Sequence, residues 1–397
     1  METVSKEQSQ SDVSLLFRTL QSAYGAYEYF GQEKFDAAED AVTQWLSSQD
    51  DEIKVSALGE KLQESLAFML THDAHAMIYE PAAEEIEAQV RYEYFFADGF
   101  FFSKDVNGSY YMVNDGERWT LSSFSDEHVS VQPTLLQDGR IVYQPTLFAL
   151  RKDAVQSSVT LKNSSGKAKI YRLDWTESQP LDVDLGTLDY RLIQEDGLTY
   201  VSLRSLVSGT YDNMLARYAR EGAKARGSKA VIYDLRGNVG GSDSWPRKWI
   251  QSFLGTQNSI ETSMLYAQKN SALFAAENSE SLLPEDEGTC FAREVHGTWY
   301  ENDIPIIVLV DDHCGSSGEG AVQLLKTLDN VLVVGSNTAG YQLCGNISTF
   351  TLPYTGIGVR FGSTLFLYGD GENVDHRGYF SLIQAERQRV IEATQIV

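Results

Sequence analysis

A serine within a turn of small residues is the first candidate for chemistry in this chain. Ser316 lies in the segment Asp311–Glu319, between the apolar run 304–310 and an amphipathic stretch. The spacing of apolar residues in that stretch predicts a helix that begins near Ser317 or Gly318. The free N–H groups and positive end of such a helix would favour an oxyanion close to Ser316. The pattern therefore suits a nucleophile, and it also suits a plain helix cap.

A glycine-rich turn adds a second element of the same chemistry. The run Asp234–Gly241 follows the apolar strand pattern Ala230–Leu235 and precedes a helical pattern. Glycines let the backbone approach a ligand closely and leave N–H groups available for an oxyanion. A phosphate loop or an ordinary tight turn would use similar residues, but the Lys-Ser/Thr pair of a P-loop is absent.

Together these segments resemble the tail-specific, or C-terminal-processing, serine peptidase family, which includes the tricorn core protease. The family's Asp-Leu-Arg-x-Asn-x-Gly-Gly pattern is met by Asp234–Gly241, and its nucleophile motif is met by Ser316–Glu319. Its Val-Gly-x-x-Thr-x-Gly pattern is met by Val334–Gly340, and Leu352-Pro353 fits its end region. The order and spacing of these motifs agree across residues 190 to 380 or so.

The resemblance carries expectations for fold and activity. It implies an α/β fold with a crotonase-like (ClpP/crotonase-type) catalytic domain, and a serine endopeptidase that acts on protein or peptide substrates through an acyl-enzyme. It implies Ser316 as the nucleophile, with the N–H groups of Ser317 and of Gly240 or Gly241 as oxyanion donors. No cofactor and no metal are expected in this chemistry.

The general base is the open question, because a serine hydroxyl needs one to become a good nucleophile. Many members of the family use a lysine after the Thr-x-Gly, but this chain has no lysine between residues 327 and 397. In the branch that resembles the chlamydial protease-like activity factor, an N-terminal Asp-x-His supplies a histidine, and Asp73-Ala74-His75 matches that pattern. We therefore predict His75 as the base, with His313 as the alternative.

The resemblance also suggests an acidic partner for the histidine. In the tricorn and chlamydial branches this partner is a glutamate three residues before a glycine near the C-terminus. Asp375 occupies that place ahead of Gly378, and Glu372 is the fallback. A carboxylate there would hold the tautomer of the imidazole and stabilise the imidazolium. The following residues, Tyr379–Leu382, depart from the family's Pro-Asp.

Three units are predicted along the chain. Helical periodicity over 1–89 predicts an N-terminal helical subdomain that carries Asp73-Ala74-His75. Alternating aromatic and β-branched residues with Asn-Gly and Asp-Gly turns predict a β-rich unit over 90–190, either degenerate PDZ-like or unrelated. Alternating strands and helices over 191–397 predict a catalytic domain with a mainly parallel sheet, interrupted by an acidic insertion at 255–302.

Composition narrows the class of protein. The 397 residues include 56 Asp and Glu against 32 Lys and Arg, and the net charge of −24 argues against nucleic acid as a partner. No run approaches the roughly 20 apolar residues that span a bilayer, so membrane insertion is not expected. The start of the chain lacks the features of a signal peptide, and localisation stays open between the cytoplasm and secretion. The three cysteines, Cys290, Cys314 and Cys344, are interpreted as buried thiols.

Two other functions remain open at this point. A catalytically inactive relative would use the same groove to bind peptides or regulate a partner, and the missing lysine and altered C-terminal motif favour it. An esterase or amidase acting on a small molecule would use the same machinery for a different acyl transfer. Oligomeric state and substrate sequence are not predicted.

Overall fold

The computed structural model describes residues 3–79, 92–97, 99–126, 128–135, 140–150, 157–177, 190–209, 212–277, 283–335, 337–368, 375 and 378. These residues form a mixed α/β fold with several sheets. The α-helices, in chain order, are α1 Lys6–Ala23, α2 Tyr27–Phe30, α3 Gln32–Ser47, α4 Val55–Ser65, α5 Ala67–Leu70, α6 Asp212–Glu221, α7 Ser244–Leu254, α8 Ala272–Glu277 and α9 Ser317–Leu325. In the part of the chain described, no helix combines the length and apolar character needed to cross a membrane.

The strands complete the secondary structure. They are β1 Thr3–Ser5, β2 Glu52–Lys54, β3 Met77–Tyr79, β4 Tyr92–Ala97, β5 Ser103–Lys104, β6 Tyr110–Asn114, β7 Glu117–Phe124, β8 Val129–Leu135, β9 Ile141–Leu150, β10 Ser158–Lys162, β11 Ala168–Arg172, β12 Trp175–Glu177, β13 Tyr190–Glu195, β14 Leu198–Leu203, β15 Ala230–Asp234, β16 Met264–Lys269, β17 Cys290–Val295, β18 Ile306–Val310, β19 Val331–Gly335, β20 Cys344–Thr351 and β21 Gly358–Tyr368.

The sheet that carries the motifs has the order β13-β14-β15-β18-β19. Strands β14, β15, β18 and β19 run parallel, and β13 is an antiparallel edge strand. The prediction of a mainly parallel sheet over 191–397 is therefore confirmed for this sheet, but the other sheet of that range, β17-β16-β21-β20, is antiparallel. Because parallel strands end at the same edge of a sheet, the turn after β15 and the turn after β18 meet there, as ligand sites of open α/β sheets do.

The N-terminal helices pack against strands from the far end of the chain. Leu16 and Leu20 of α1 are fully buried in one hydrophobic cluster with Val359 and Phe361 of β21. Strand β3 pairs with β21, so the turn before β3 is held against the C-terminal sheet. This pairing brings His75, two residues before β3, to the C-terminal half of the molecule. The predicted division into three units stays a prediction, and the shared core joins the first of those units to the third.

The predicted β-rich unit and the predicted insertion at 255–302 both contain β-strands. Over 92–177 the described residues form two antiparallel sheets, β11-β10-β7-β6-β5 and β12-β4-β9-β8, around a core that includes Phe102 and Trp119. The segment 255–302 contributes β16 and β17 to the C-terminal sheet, in the order β17-β16-β21-β20. Most of β17 is solvent-exposed, which explains why its sequence lacks a clear strand pattern.

Candidate active site

Ser316 has an unusual backbone conformation at the start of α9. Its φ and ψ angles are 52° and −122°, a region that costs a residue with a side chain about 1–3 kcal/mol. Hydrogen bonds to both the N–H and the carbonyl of Ser316 hold this conformation. The Ser316 N–H donates to Glu319 Oε2 at 3.0 Å, and the Ser316 carbonyl accepts from the Gly320 N–H at 2.9 Å and from Gln342 Nε2 at 2.8 Å. The predicted start of the helix at Ser317 is confirmed, and the strain falls on the residue predicted as nucleophile.

The turn from β18 into α9, residues 311–319, is called the elbow, and Glu319 joins it to the loop that follows β19. Its carboxylate is fully buried and accepts from the Ser316 N–H, from Thr338 Oγ1 at 2.5 Å, and from the N–H groups of Gly340 and Tyr341 at 2.9 and 2.8 Å. Burial raises the pKa of Glu319 to about 7, against the opposing effect of these four hydrogen bonds. The Thr-x-Gly segment noted in the sequence therefore serves as the partner of Glu319 and fixes the elbow.

The glycine-rich turn lies directly against the elbow. The Gly315 N–H donates to the Asn238 carbonyl at 2.9 Å. Gly240 has a φ of 108°, and a Cβ placed there would lie 2.8 Å from Ser316 Cβ. Only glycine can occupy this position without displacing the serine.

The two predicted oxyanion donors of this turn differ in their surroundings. The Gly240 N–H already donates to Asn238 Oδ1 at 3.0 Å. Leu206 pairs with the backbone groups on either side of Gly241, so the N–H and carbonyl of Gly241 itself point away from Leu206. On that side the Gly241 carbonyl accepts from Ser317 Oγ at 2.9 Å. Gly241 is thus the better placed of the two glycines to donate beside the elbow.

The first residues of this turn form a rigid ion-pair cluster. The Asp234 carboxylate is fully buried and accepts from Arg236 Nε at 2.9 Å, from Arg204 Nη2 at 3.0 Å and from the Tyr200 hydroxyl at 2.6 Å. Burial alone would raise the pKa of Asp234, but these hydrogen bonds outweigh it and hold the pKa well below its ordinary value. The Asp-Leu-Arg of the motif therefore anchors the turn.

His75 lies in the turn between α5 and β3 and is buried. Its N–H donates to Asp73 Oδ1 at 2.9 Å, and its carbonyl accepts from Arg360 Nε of β21 at 3.0 Å. The imidazole packs edge-on against Tyr341, with ring centroids 5.1 Å apart. Because the Tyr341 N–H is bound to Glu319, the ring of His75 lies beside the segment that fixes the elbow.

Asp375 reaches the same place from the C-terminal end. It is buried, and its Oδ1 accepts from the N–H groups of Gln342 and Leu343 at 2.6 and 2.7 Å, while Oδ2 accepts from the Ala74 N–H at 2.9 Å. Burial, and next the charge of Asp73, raise the pKa of Asp375 well above its ordinary value. These three bonds hold the carboxylate in one orientation, beside the turn that carries His75.

Asp73, His75 and Asp375 form one buried cluster. Each presents a side-chain nitrogen or oxygen atom within 4.8 Å of those of the other two. Asp73 also accepts from the Tyr24 hydroxyl at 2.9 Å, and burial raises the pKa of Asp73. Asp73 was noted only as part of the Asp-x-His motif, and Tyr24 carries no signal in the sequence, since it lies 49 residues before its partner.

Gln342 is a site residue that sequence reasoning missed. Its backbone N–H donates to Asp375, and its side-chain amide donates to the carbonyl of Ser316. One residue thus connects the acidic cluster to the strained serine. No sequence pattern pointed to it, because a single amide side chain can serve many positions.

The remaining predicted residues have different outcomes. His313 Nδ1 lies 3.1 Å from Oδ1 of its neighbour Asp312, on the turn before the elbow. Glu372 lies outside the described residues. The interpretation of the cysteines is wrong for Cys290, which is exposed on the outer strand β17, whereas Cys314 and Cys344 are buried as expected.

Comparison with known proteins adds to this geometry. Peptidase family S41 matches residues 197–379, and no curated protein sequence matches the chain. Among solved structures, mature CPAF is similar at 13% identity with a TM-score of 0.46, over 95% of this chain and 92% of that one. The photosystem II D1 C-terminal processing protease has 14% identity and a TM-score of 0.45, over 95% and 93%. The tricorn protease has 13% identity and a TM-score of 0.42, over 94% of this chain and 34% of that one.

The matched segment contains the elbow, the glycine-rich turn, Gln342 and Asp375. His75 lies outside it and joins it through the pairing of β3 with β21. Residues 197–379 belong to peptidase family S41, the family of tail-specific proteases, and the chain is a serine-type peptidase.

Proposed function

We propose that the chain is a serine endopeptidase that hydrolyses peptide bonds through an acyl-enzyme, with Ser316 as nucleophile, His75 as general base and Asp375 as the acid that orients the base. One observation carries the proposal. His75 and Asp375, 300 residues apart in the sequence, converge in a buried cluster that Gln342 connects to a strained serine. The proposal also includes a crotonase-like catalytic domain, which the parallel strands β14, β15, β18 and β19 support.

In the first half of the reaction, the Ser316 hydroxyl attacks the carbonyl carbon of the scissile peptide bond while His75 takes its proton. The carbonyl oxygen becomes an oxyanion, which the N–H groups of Ser317 and Gly241 bind at the positive end of α9. The tetrahedral intermediate then collapses, and protonated His75 donates its proton to the leaving amine. The acyl group remains on Ser316 as an ester.

In the second half, water replaces the amine. His75 takes a proton from the water, the resulting oxygen nucleophile attacks the ester carbon, and the same N–H groups bind the oxyanion. Collapse returns the proton to Ser316 Oγ and releases the new carboxylic acid. Asp375, fixed by three backbone N–H groups, keeps one imidazole tautomer and stabilises the imidazolium in both halves.

A fluorophosphonate probe tests the assignment, because it forms a covalent bond with an activated serine. We expect labelling at Ser316 that disappears in Ser316→Ala and falls strongly in His75→Ala, with His128→Ala as a matched control on an exposed histidine. Mass spectrometry of the labelled peptide identifies the residue. Loss of labelling in His313→Ala but not in His75→Ala would assign the base to His313.

Two further outcomes separate the alternatives. A folded chain that takes up no probe would support an inactive, peptide-binding relative. A labelled chain that hydrolyses small esters or amides but no peptide in a mixed peptide library would support an esterase or amidase. Cleavage within library peptides supports the endopeptidase.

A further inference from the structure

A second cluster of ligand-type side chains lies on the turn that leads into the elbow. Asp311, Asp312 and His313 each present one side-chain nitrogen or oxygen atom, and these atoms lie within 4.8 Å of one another. The cluster follows directly after β18 and ends three residues before Ser316. The peptidase chemistry proposed above does not use it.

Only one of the two carboxylate oxygens of Asp311 accepts hydrogen bonds from described residues. Its Oδ1 accepts from the N–H groups of Gly237 and His313 at 2.8 and 3.2 Å. The side chain is fully buried, yet its Oδ2 accepts no hydrogen bond from any residue that the structure describes. Burying a carboxylate oxygen without a hydrogen-bond donor costs free energy, because the oxygen loses its water and gains no other partner. A bound cation would offset that cost.

The other two ligand atoms have nearly the separation of neighbours around one ion. Asp312 Oδ1 and His313 Nδ1 lie 3.1 Å apart, but the two groups are not aligned for a hydrogen bond. Two tetrahedral ligands bound to one ion at about 2.0–2.2 Å lie roughly 3.3–3.6 Å from each other, so these two atoms need to separate by only a few tenths of an ångström to hold an ion. The side chains of His313 and Asp312 are 38% and 30% exposed, while the facing atoms, Nδ1 and Oδ1, are shielded from solvent, so an ion enters when these two surface side chains move apart.

In the buried cluster around His75, by contrast, the carboxylate oxygens already accept hydrogen bonds. Both oxygens of Asp73 accept hydrogen bonds, one from the His75 N–H and one from Tyr24. Both oxygens of Asp375 accept from backbone N–H groups. The carboxylates around His75 are thus already stabilised by N–H and O–H donors, whereas Asp311 Oδ2 at the turn has no such donor among the described residues.

We propose that Asp311, Asp312 and His313 form a binding site for a divalent transition-metal ion of the zinc type. One imidazole and two carboxylates are a donor set that suits Zn²⁺ and Co²⁺, and they leave coordination positions for water. Two carboxylates and a divalent ion together are close to neutral, which relieves the cost of the buried Asp311 charge.

The position of the ion gives it a route to the active site. Asp311 holds Gly237 through its other oxygen, and Gly237 opens the turn that ends at Gly240 and Gly241. An ion that pulls on Asp311 therefore acts on the backbone that lies against Ser316. The site regulates the elbow and takes no part in the bond-breaking steps.

The test measures ion binding by the full chain, and activity is not its readout. Co²⁺ is titrated and followed by its visible absorption, and Zn²⁺ then displaces it. We expect one Co²⁺ per chain, and a loss of affinity of tenfold or more in Asp312→Asn and in His313→Gln. Saturating Zn²⁺ should also raise the melting temperature of the wild type and leave that of His313→Gln unchanged.

Two variants serve as controls for specificity. His128→Ala removes another histidine, one that lies 2.9 Å from Asp126 on an exposed surface without a third ligand, and binding should be unchanged. His75→Ala removes the histidine of the buried cluster and should also leave Co²⁺ binding unchanged. The proposal is overturned if Asp312→Asn and His313→Gln bind as the wild type does, if affinity is lost only in His75→Ala, or if the folded wild type binds neither ion at about 1 mM.

Discussion

The elbow and the acidic cluster around His75 are assembled in opposite ways. The elbow, residues 311–319, and the glycine-rich turn beside it, residues 234–241, are two short segments. Their own motifs supply the glycines, the serine and Glu319. The cluster uses single residues from distant parts of the chain, Asp73 and His75 from a turn and Asp375 from the C-terminal region. The elbow is thus a local structure with a sequence signature, whereas the cluster exists only because β3 pairs with β21.

This contrast predicts different consequences of mutation. A change at Asp375 should remove catalysis with little loss of fold, because the groups that donate to its carboxylate are backbone N–H groups that stay in place. A change at Glu319 should alter the stability of the elbow itself, because Glu319 connects the elbow to the loop 338–341.

Replacing Asp375 with asparagine should have the largest effect. The amide cannot stabilise an imidazolium, and its NH₂ group would face a backbone N–H donor, so kcat/KM for a peptide substrate should fall by about 10³-fold or more. The measurement is peptide hydrolysis at pH 8 beside circular dichroism. Asp174→Asn, at a carboxylate that is 86% exposed, is the control and should keep full activity. Activity within threefold of wild type in Asp375→Asn would remove Asp375 from the mechanism.

Glu319 should make the stability of the protein depend on pH. Its pKa rises from an ordinary value of 4.5 to about 7 in the fold, so the protonated form is the more stable one when buried. The stabilisation is fully present below pH 4.5 and is lost as pH rises through 7, which corresponds to about 3 kcal/mol. Glu319→Gln should lack this component.

The measurement is the free energy of unfolding by urea at pH 5 and pH 8. The stability advantage of the wild type over Glu319→Gln should be larger at pH 5 than at pH 8. The control is Glu64→Gln, at a glutamate that is 73% exposed and pairs with Lys61, where the effect should be small at both pH values. An equal advantage at both pH values would contradict a raised pKa for Glu319.

Asp73 should have the smallest effect, on the pH profile of the reaction. The charge of Asp73 contributes to the raised pKa of Asp375, so Asp73→Asn should lower that pKa. Because catalysis needs an ionised Asp375, the acidic limb of the kcat/KM profile should move to lower pH, while kcat at pH 8 changes by less than about tenfold. A limb that stays in place would show that the two carboxylates do not interact.

The elements around the elbow were predictable because residues close to one another in the sequence determine them. The start of α9, the strands on both sides and the glycine at 240 follow from apolar spacing and from residues that only certain turns accept. The strands of 255–302 were not predictable, since β17 is exposed and has no apolar alternation. The side-chain link through Gln342 left no pattern either, because a single amide can serve many positions.

The sequence alone establishes the family-type motifs, the turn of small residues around Ser316 and the lack of a lysine between residues 327 and 397, and it leads to the prediction of His75 as base and Asp375 as its acidic partner. The tertiary structure decided that Asp73, His75 and Asp375 share one buried cluster, and that Gln342 connects Asp375 to the elbow. The physical reason is the range of the interactions. Turns and caps depend on neighbours within a few residues, whereas the contact between Ala74 and Asp375 spans 301 positions and depends on the packing of the whole core.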